Sequence, residues 1–244
     1  MKATDAERIS TIRAQLEKEP LVNLHRWPIS LSFDHGDLVI DGEVESVAAK
    51  KRALEISAAA PGIKGILDRL HVEPSQRMPD GEVRDRVLKV LSEESALQLC
   101  TLRAERDGRV EVVRPGAPET RGQIDVSVVE GVITLDGDVP SLTHKRLAES
   151  VVWWMPGTRD VVNGLGVTPP EEDSDDEITD ALSMVFEKDP LLKGFKIGVR
   201  TDNRVVTLTG TLQTDEQRRA AEADGWCLFG VDRVVNQLQL RPPT

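Results

Sequence analysis

Short runs in which polar and apolar residues alternate recur along this chain at fixed distances. Ile29, Leu31 and Phe33 alternate with polar neighbours, as do Ile124, Val126 and Val128, and Ile197 with Val199. A turn of a few residues follows each run, and then Leu38 and Ile40, Ile133 and Leu135, or Val206 and Leu208 resume the alternation. Side chains on a strand point to opposite faces in turn, so each pair of runs predicts an antiparallel hairpin with one buried face. Ahead of each hairpin the apolar spacing changes to three and four, the period of a helix face. Ile9, Ile12 and Leu16 show it first, then Val83, Val87, Val90 and Leu91, then Ile178, Leu182, Val185 and Phe186. Thr4 with Glu7, and Ser174 with Glu177, have the spacing of capping boxes at two of these helix starts.

After each hairpin, Ser46, Ser141 and Thr214 stand where a second helix would need an N-cap. Ala53, Ala148 and Ala221 are equivalent inside that helix, small enough to let it lie close to a sheet. A third strand closes each unit, carried by Ile66, Leu70 and Val72, by Val161, Leu165 and Val167, and by Val234, Leu238 and Leu240. Each third strand also has a polar residue in its inward phase (Asp68, Asn163, Asn236), which reads as bonding a neighbouring turn's backbone, with the lining of a common binding feature as the alternative. The units share a strict ruler. Ile29, Gly42, Gly62 and Val72 are separated by 13, 20 and 10 residues, as are Ile124, Gly137, Gly157 and Val167, and Ile197, Gly210, Gly230 and Leu240. Gly42, Gly137 and Gly210 fall in the inward phase of the second strand. That predicts close approach of a helix backbone or a bulge there. Gly62, Gly157 and Gly230 follow the second helix and are expected in the left-handed C′ position.

The fold class is therefore α+β, with three tandem αββαβ units, each a three-stranded mixed sheet with two helices on one face. Expected boundaries are 1–74, 75–170 and 171–244. The first two hairpins are 95 residues apart and the next two 73, so the second unit carries an insertion of 22 residues at about 100–121. It reads as a solvated hairpin around Asp107-Gly108, followed by a Pro-Gly-Ala-Pro loop. Its Arg103, Arg106, Arg109 and Arg114 form a candidate insertion surface, tempered by nearby acids.

Gly131-Val132-Ile133-Thr134-Leu135-Asp136-Gly137-Asp138-Val139 and Val205-Val206-Thr207-Leu208-Thr209-Gly210 resemble the BON domain of bacterial proteins. So do Pro156-Gly157-Thr158-Arg159-Asp160-Val161-Val162-Asn163 and Gly230-Val231-Asp232-Arg233-Val234-Val235-Asn236, and, in degenerate form, Asp37 to Gly42 and Pro61 to Ile66. The resemblance implies three copies of a binding domain. Members include periplasmic osmotic-stress proteins, lipoproteins that bind anionic phospholipid, and a cytosolic potassium-binding protein.

Aromatics are scarce, with four Trp, four Phe and no Tyr. Three residues in a row, Trp153, Trp154 and Met155, end the second helix of the second unit, and Trp226 to Phe229 occupy the matching place in the third. A helix turns about 100° per residue, so such a run cannot all face one core. The first unit has Ala58, Ala59 and Ala60 there, so the fold does not demand bulk. Trp153, Trp154, Met155, Trp226 and Phe229 are candidate interface residues, forming an interdomain seam, a homo-oligomer contact, or a membrane or ligand surface.

The net charge of −11 opposes nucleic acid as a partner. Cys100 and Cys227 form neither a disulfide framework nor a metal motif. The acidic run Glu171 to Glu177 lacks the alternating ligands and glycine turn of a calcium loop. No HExxH, GxSxG or phosphate-loop motif is present, the four histidines are scattered, and nothing in the sequence pairs the carboxylates. Neither a transmembrane stretch nor an export signal is visible, which reads as cytoplasmic, or periplasmic if the sequence is a truncated form. The expectation is a non-catalytic binding or adaptor protein of bacterial stress or envelope physiology, with no cofactor or metal, acting through protein partners or self-association. Peripheral phospholipid binding through the tryptophans, or binding of a monovalent cation or small solute, is the alternative.

Overall fold

The structure is a computed structural model, and it describes residues 4–106, 108–117 and 122–241. Asp107, Glu119 and Arg121 of the insertion lie outside the described residues. The chain divides into two compact units, residues 4–73 and 74–241.

In the first unit, α1 (Asp5–Leu16) starts at a complete Thr4/Glu7 capping box, and β1 (Ile29–Asp34) and β2 (Asp37–Val44) form the hairpin. Helix α2 (Val47–Ala59) begins at Ser46, and β3 (Ile66–Val72) returns parallel to β2, giving sheet order β1-β2-β3. A parallel return needs a crossover, which α2 supplies. Ile12, Leu16, Leu38, Ile40, Ala53 and Leu70 are wholly buried where the helices meet the sheet. Burying a Leu or Ile side chain contributes about 1.5–3 kcal/mol, so these positions hold the unit together.

The second unit contains the other two copies. The first has α3 (Asp80–Glu93), the inserted strands β4 (Thr101–Arg106) and β5 (Arg109–Arg114), then β6 (Gln123–Val129), β7 (Val132–Val139), α4 (Leu142–Trp153), β8 (Asp160–Asn163) and β9 (Gly166–Val167). The next has α5 (Asp175–Lys188), β10 (Ile197–Asp202), β11 (Val205–Leu212), α6 (Asp215–Cys227), β12 (Arg233–Asn236) and β13 (Gln239–Leu240). Helix α4 packs against α3, α5 and α6, so the core of one copy runs into that of the next. Ala53, Ala148 and Ala221 are each fully buried, as close helix–sheet packing requires.

The hairpins β1–β2, β6–β7 and β10–β11 close through two-residue turns: His35-Gly36, Glu130-Gly131 and Asn203-Arg204. Every one of these six residues has positive φ, between 49° and 97°, the pattern of a type I′ turn that matches strand twist. In the second unit the turn is fastened from outside. Asp80, the first residue of α3, accepts from Glu130 N and Gly131 N at 2.8 Å each, and Asp175 of α5 does the same for Asn203 N and Arg204 N at 2.7 and 3.0 Å.

Four expectations need correction. The glycines of the second strands are constrained by a strand rather than by a helix. A Cβ at Gly42, Gly137 or Gly210 would stand 2.8, 2.4 or 2.7 Å from the carbonyl oxygen of Pro28, Gln123 or Lys196, and φ is 145°, 113° and 133°. Gly62, Gly157 and Gly230 do have positive φ (85°, 91° and 90°), but they lie beyond the helix, third in the turns Ala60–Ile63, Met155–Thr158 and Leu228–Val231. Positive φ at that position is what a type II turn requires.

The third strands of the later copies are each broken in two. Asn163 and Asn236 accept from the amides of Leu165 and Leu238, while their Nδ2 groups donate to helix carbonyls of Lys145 and Arg218. In the first copy Asp68 likewise accepts from Leu70 N at 2.9 Å, but its side chain has no N–H to donate to the helix and pairs with Lys50 Nζ at 3.1 Å, and β3 is continuous. Finally, the insertion is not a separate solvated hairpin. Its β4 pairs parallel with β6, extending the sheet to β5-β4-β6-β7-β8, and Leu102 and Ala104 enter the core.

Candidate functional site

A cavity of about 620 Å³ opens in the second unit where α3, α4, α6 and the turn after α5 converge. Its walls are largely apolar: Val90, Val151, Met155, Leu191, Ala220 and Ala223. The polar groups on it are few and come from three elements. Helix α3 and its end give Glu93 and Glu94, α5 and its end give Lys188 and Asp189, and α6 gives Asp224. Lys188 Nζ reaches Glu94 Oε1 at 2.5 Å, so that pair is neutralised.

Asp224 is 4% exposed, and its Oδ1 accepts from Trp154 Nε1 at 2.8 Å. Its Oδ2 is buried with no donor among the described residues, and the carboxyl it faces is Asp189. Asp189 is itself 6% exposed, with Oδ1 accepting from Leu191 N at 2.7 Å. Two carboxylates cannot both remain ionised at such a place without a cation. Burial, foremost, and then the neighbouring Asp189 charge raise the Asp224 pKa from its ordinary 3.8 to about 8, against the stabilising Trp154 bond. At neutral pH Asp224 therefore holds a proton and donates it toward Asp189. Sequence reasoning found nothing that pairs the carboxylates, and this pair is the correction. The signal was present in the copies: the position of Asp224 is Ile56 in the first and Val151 in the second, so an acid has replaced an aliphatic.

The aromatic candidates divide. Trp154 and Met155 border the cavity, while Trp153, also half-buried, does not. Trp226 is 3% exposed inside the third copy, its Nε1 without an acceptor among the described residues. Phe229 is 37% exposed, and Lys145 Nζ sits 4.6 Å from its ring centroid. Beside it, fully buried Arg146 of α4 donates through Nε to Phe229 O at 2.9 Å and through Nη2 to Asp173, tying α4 to the third copy.

The insertion arginines do not converge on a site. Arg103 forms a fork with Asp125, Arg106 meets Asp85 Oδ1 at 3.2 Å, and Arg109 is exposed. Arg114 donates to the carbonyls of Leu91, Ser92, Leu97 and Cys100, fastening the hairpin to the end of α3. Among the described residues no cluster of three or more His, Cys, Asp or Glu is arranged to hold a metal. Among them, too, no helix is long and apolar enough to cross a membrane.

The repeats on which this site is built match the BON domain model at residues 4–74, 117–169 and 174–242. The chain belongs to the BON domain family. That BON family is generally non-enzymatic and points to a binding role. No curated protein matches the chain at a significant level. Solved structures similar to this BON protein include the C-terminal domain of CdsD, a structural protein of the type III secretion system of Chlamydia trachomatis. It is 15% identical, covers 99% of this chain and 100% of its own, and has a TM-score of 0.25. A second CdsD structure is 15% identical at 96% and 92% coverage with the same TM-score. The PrgH periplasmic domain is 12% identical at 90% and 96%, with a TM-score of 0.23.

Proposed function

We propose that this BON protein is a non-catalytic binding protein whose second and third copies act as one body and take a small solute into the cavity at their seam. Asp224 carries this reading. Burying a carboxyl group costs free energy even when it is hydrogen-bonded to a neighbouring acid, and the fold has no need of this one, since Ile56 and Val151 serve at the same position. An acid held there at a cost to stability is best explained by what the cavity holds. By resemblance the family is linked to bacterial stress or envelope physiology, and the cytoplasm is the proposed compartment, with which two free cysteines are compatible.

A protein-contact reading has its own observation. Strand β5 is the edge of its sheet and exposes Val110, Val112 and Val113 (55%, 61% and 45%), an edge suited to a partner's strand. Phospholipid association through the tryptophans asks for indoles at the surface, whereas Trp226 is buried and Trp154 is bonded to Asp224. Native mass spectrometry of the protein isolated gently from cells that make it separates these readings. A retained low-mass species, lost on denaturation, is the expected result. A bare chain that retains nothing and stays bare when mixed with its own cell's small-molecule extract would refute the solute reading, and a protein adduct would favour β5.

A further inference from the structure

Taking the seam cavity as a solute site, its walls and its relation to the first copy narrow the class of solute. Each first helix is followed by an acid: Glu19 after α1, Glu94 after α3 and Asp189 after α5. Glu19 and Asp189 sit in the same local geometry. Both precede a proline, and each accepts with its side chain from the amide two residues on, Leu21 N at 3.4 Å and Leu191 N at 2.7 Å. Two of the three acids have a cation supplied by the chain. Arg52 of α2 reaches Glu19 Oε2 at 2.7 Å, and Lys188 serves Glu94. Asp189 has none among the described residues. The residue equivalent to Arg52, reckoned from Ile29 and Ile197, is Ala220, and Ala220 lines the cavity. In the place of a guanidinium the third copy has space, and Asp224 adds a second carboxyl to it.

The remaining bonding capacity is all of one kind. Trp154 Nε1 is spent on Asp224 and Lys188 on Glu94, while Asp224 Oδ2 has no donor among the described residues. The cavity thus asks for N–H donors and positive charge at one end and hydrocarbon along the rest. A bare metal ion meets too few oxygens, since no three acidic or imidazole side chains converge among the described residues. At about 620 Å³ the space also falls in the range of small organic ligands, about 300–1,000 Å³.

We propose that the cavity binds a primary amine with an apolar body, its ammonium between the carboxylates of Asp189 and Asp224 and its hydrocarbon against Val151, Met155 and Leu191. The ammonium takes the role that Arg52 plays in the first copy. The charge balance closes. Before binding, the Asp189–Asp224 pair holds one proton and a net charge of −1. The incoming R–NH3⁺ displaces that proton to solvent, both carboxylates ionise, and the total remains −1. Among the described residues the other charged groups facing the site are Glu93 at the end of α3, Glu94 just after it and Lys188 of α5, and α4 contributes none. Their sum favours a cation.

Isothermal titration of the full chain with phenethylamine, in two buffers of different ionisation heat, tests this. One-to-one binding with close to one proton released at pH 7 is expected. The affinity should rise by up to about tenfold per pH unit between pH 6 and 8, the limit for one displaced proton. Asp224→Asn keeps the shape and the bond from Trp154 and should lose about tenfold or more in affinity together with the proton release. Asp224→Val, which restores the second copy's residue, should lose binding while keeping the helical circular-dichroism signal. Equal binding of phenethyl alcohol would overturn the amine and leave a neutral solute site. Heat from potassium chloride alone would overturn it in favour of an inorganic cation. If neither the amine, the alcohol nor the salt binds, the amine proposal falls, while the solute reading stands or falls on the native mass spectrum of the chain mixed with its own cell's extract.

Discussion

Replacing Asp224 with asparagine should change how stability depends on pH, even with no ligand present. Asp224 has its pKa raised from 3.8 to about 8, chiefly by burial. Between about pH 4 and pH 8 the folded chain therefore holds a proton that the unfolded chain has released. The folded state binds more protons throughout that window, so stability falls as pH rises across it. The contribution is complete below about pH 4 and gone above about pH 8. At roughly 1.4 kcal/mol per pH unit, the ceiling over the whole window is about 6 kcal/mol. Sharing of the proton with Asp189, and water reaching the open cavity, lower this to about 2–4 kcal/mol between pH 5 and 8. The asparagine side chain cannot ionise, yet its oxygen still accepts from Trp154 and its amide still donates toward Asp189. The variant should thus gain on the wild type steadily as pH rises. Urea titrations at pH 5, 7 and 9, followed by tryptophan emission, read this directly, because Trp153, Trp154 and Trp226 of the four tryptophans lie in the second unit. Stability curves that run parallel from pH 5 to 9 would show that the pair does not share a proton.

Two comparisons use the same unfolding transition. Gly137→Ala sets a methyl 2.4 Å from Gln123 O at a φ of 113°, so two backbones must move, and a loss of about 2–5 kcal/mol is expected; Gly108→Ala, with positive φ but open space, should cost only about 1 kcal/mol, and equal losses would remove the steric account. Arg114→Ala strips four backbone carbonyls of a charged donor and should cost about 2–3 kcal/mol, whereas exposed Arg109→Ala should stay within about 0.5 kcal/mol, an ordering that denaturant midpoints can reverse or uphold.

What the sequence made legible was whatever a local pattern enforces. Alternation gave the hairpins, and the small hydroxyl residues Ser46, Ser141 and Thr214 gave the helix starts, each of which accepts the expected amide bond. The recurring glycines were placed correctly, but their cause was not local. Carbonyl oxygens of Pro28, Gln123 and Lys196 arrive from across the hairpin, and alternation carries no information about how closely a neighbouring strand approaches. The parallel pairing of β4 with β6 was hidden for a similar reason. A strand's pattern announces a buried face and not which edge it joins. The Asp189–Asp224 pair needed two helix ends, distant in sequence, to be packed together, and charge alone cannot locate such a meeting on an acidic protein. Reading the copies against one another would have found it, because Ile56, Val151 and Asp224 differ where the frame around them is held.

That comparison has a wider consequence for how a repeat of this kind acquires a site. The glycine turns and buried alanines recur in all three copies because each sheet and helix needs them, so they are closed to change. The end of the second helix is open to change, and there the copies part. Ala58, Ala59 and Ala60 end α2 in the first copy, which stands as a compact unit of its own. Trp153, Trp154 and Met155 occupy the place in the second, and Trp226, Cys227 and Leu228 in the third, and these two copies share one body. Large side chains at a helix end reach beyond their own core, and once two copies are joined, a substitution on either side faces a neighbour rather than water. An acid such as Asp224 would be solvated and unremarkable on a lone unit. Held in the seam beneath Trp154, it becomes a buried, proton-holding group at the wall of a cavity, which is chemistry that no single copy contains.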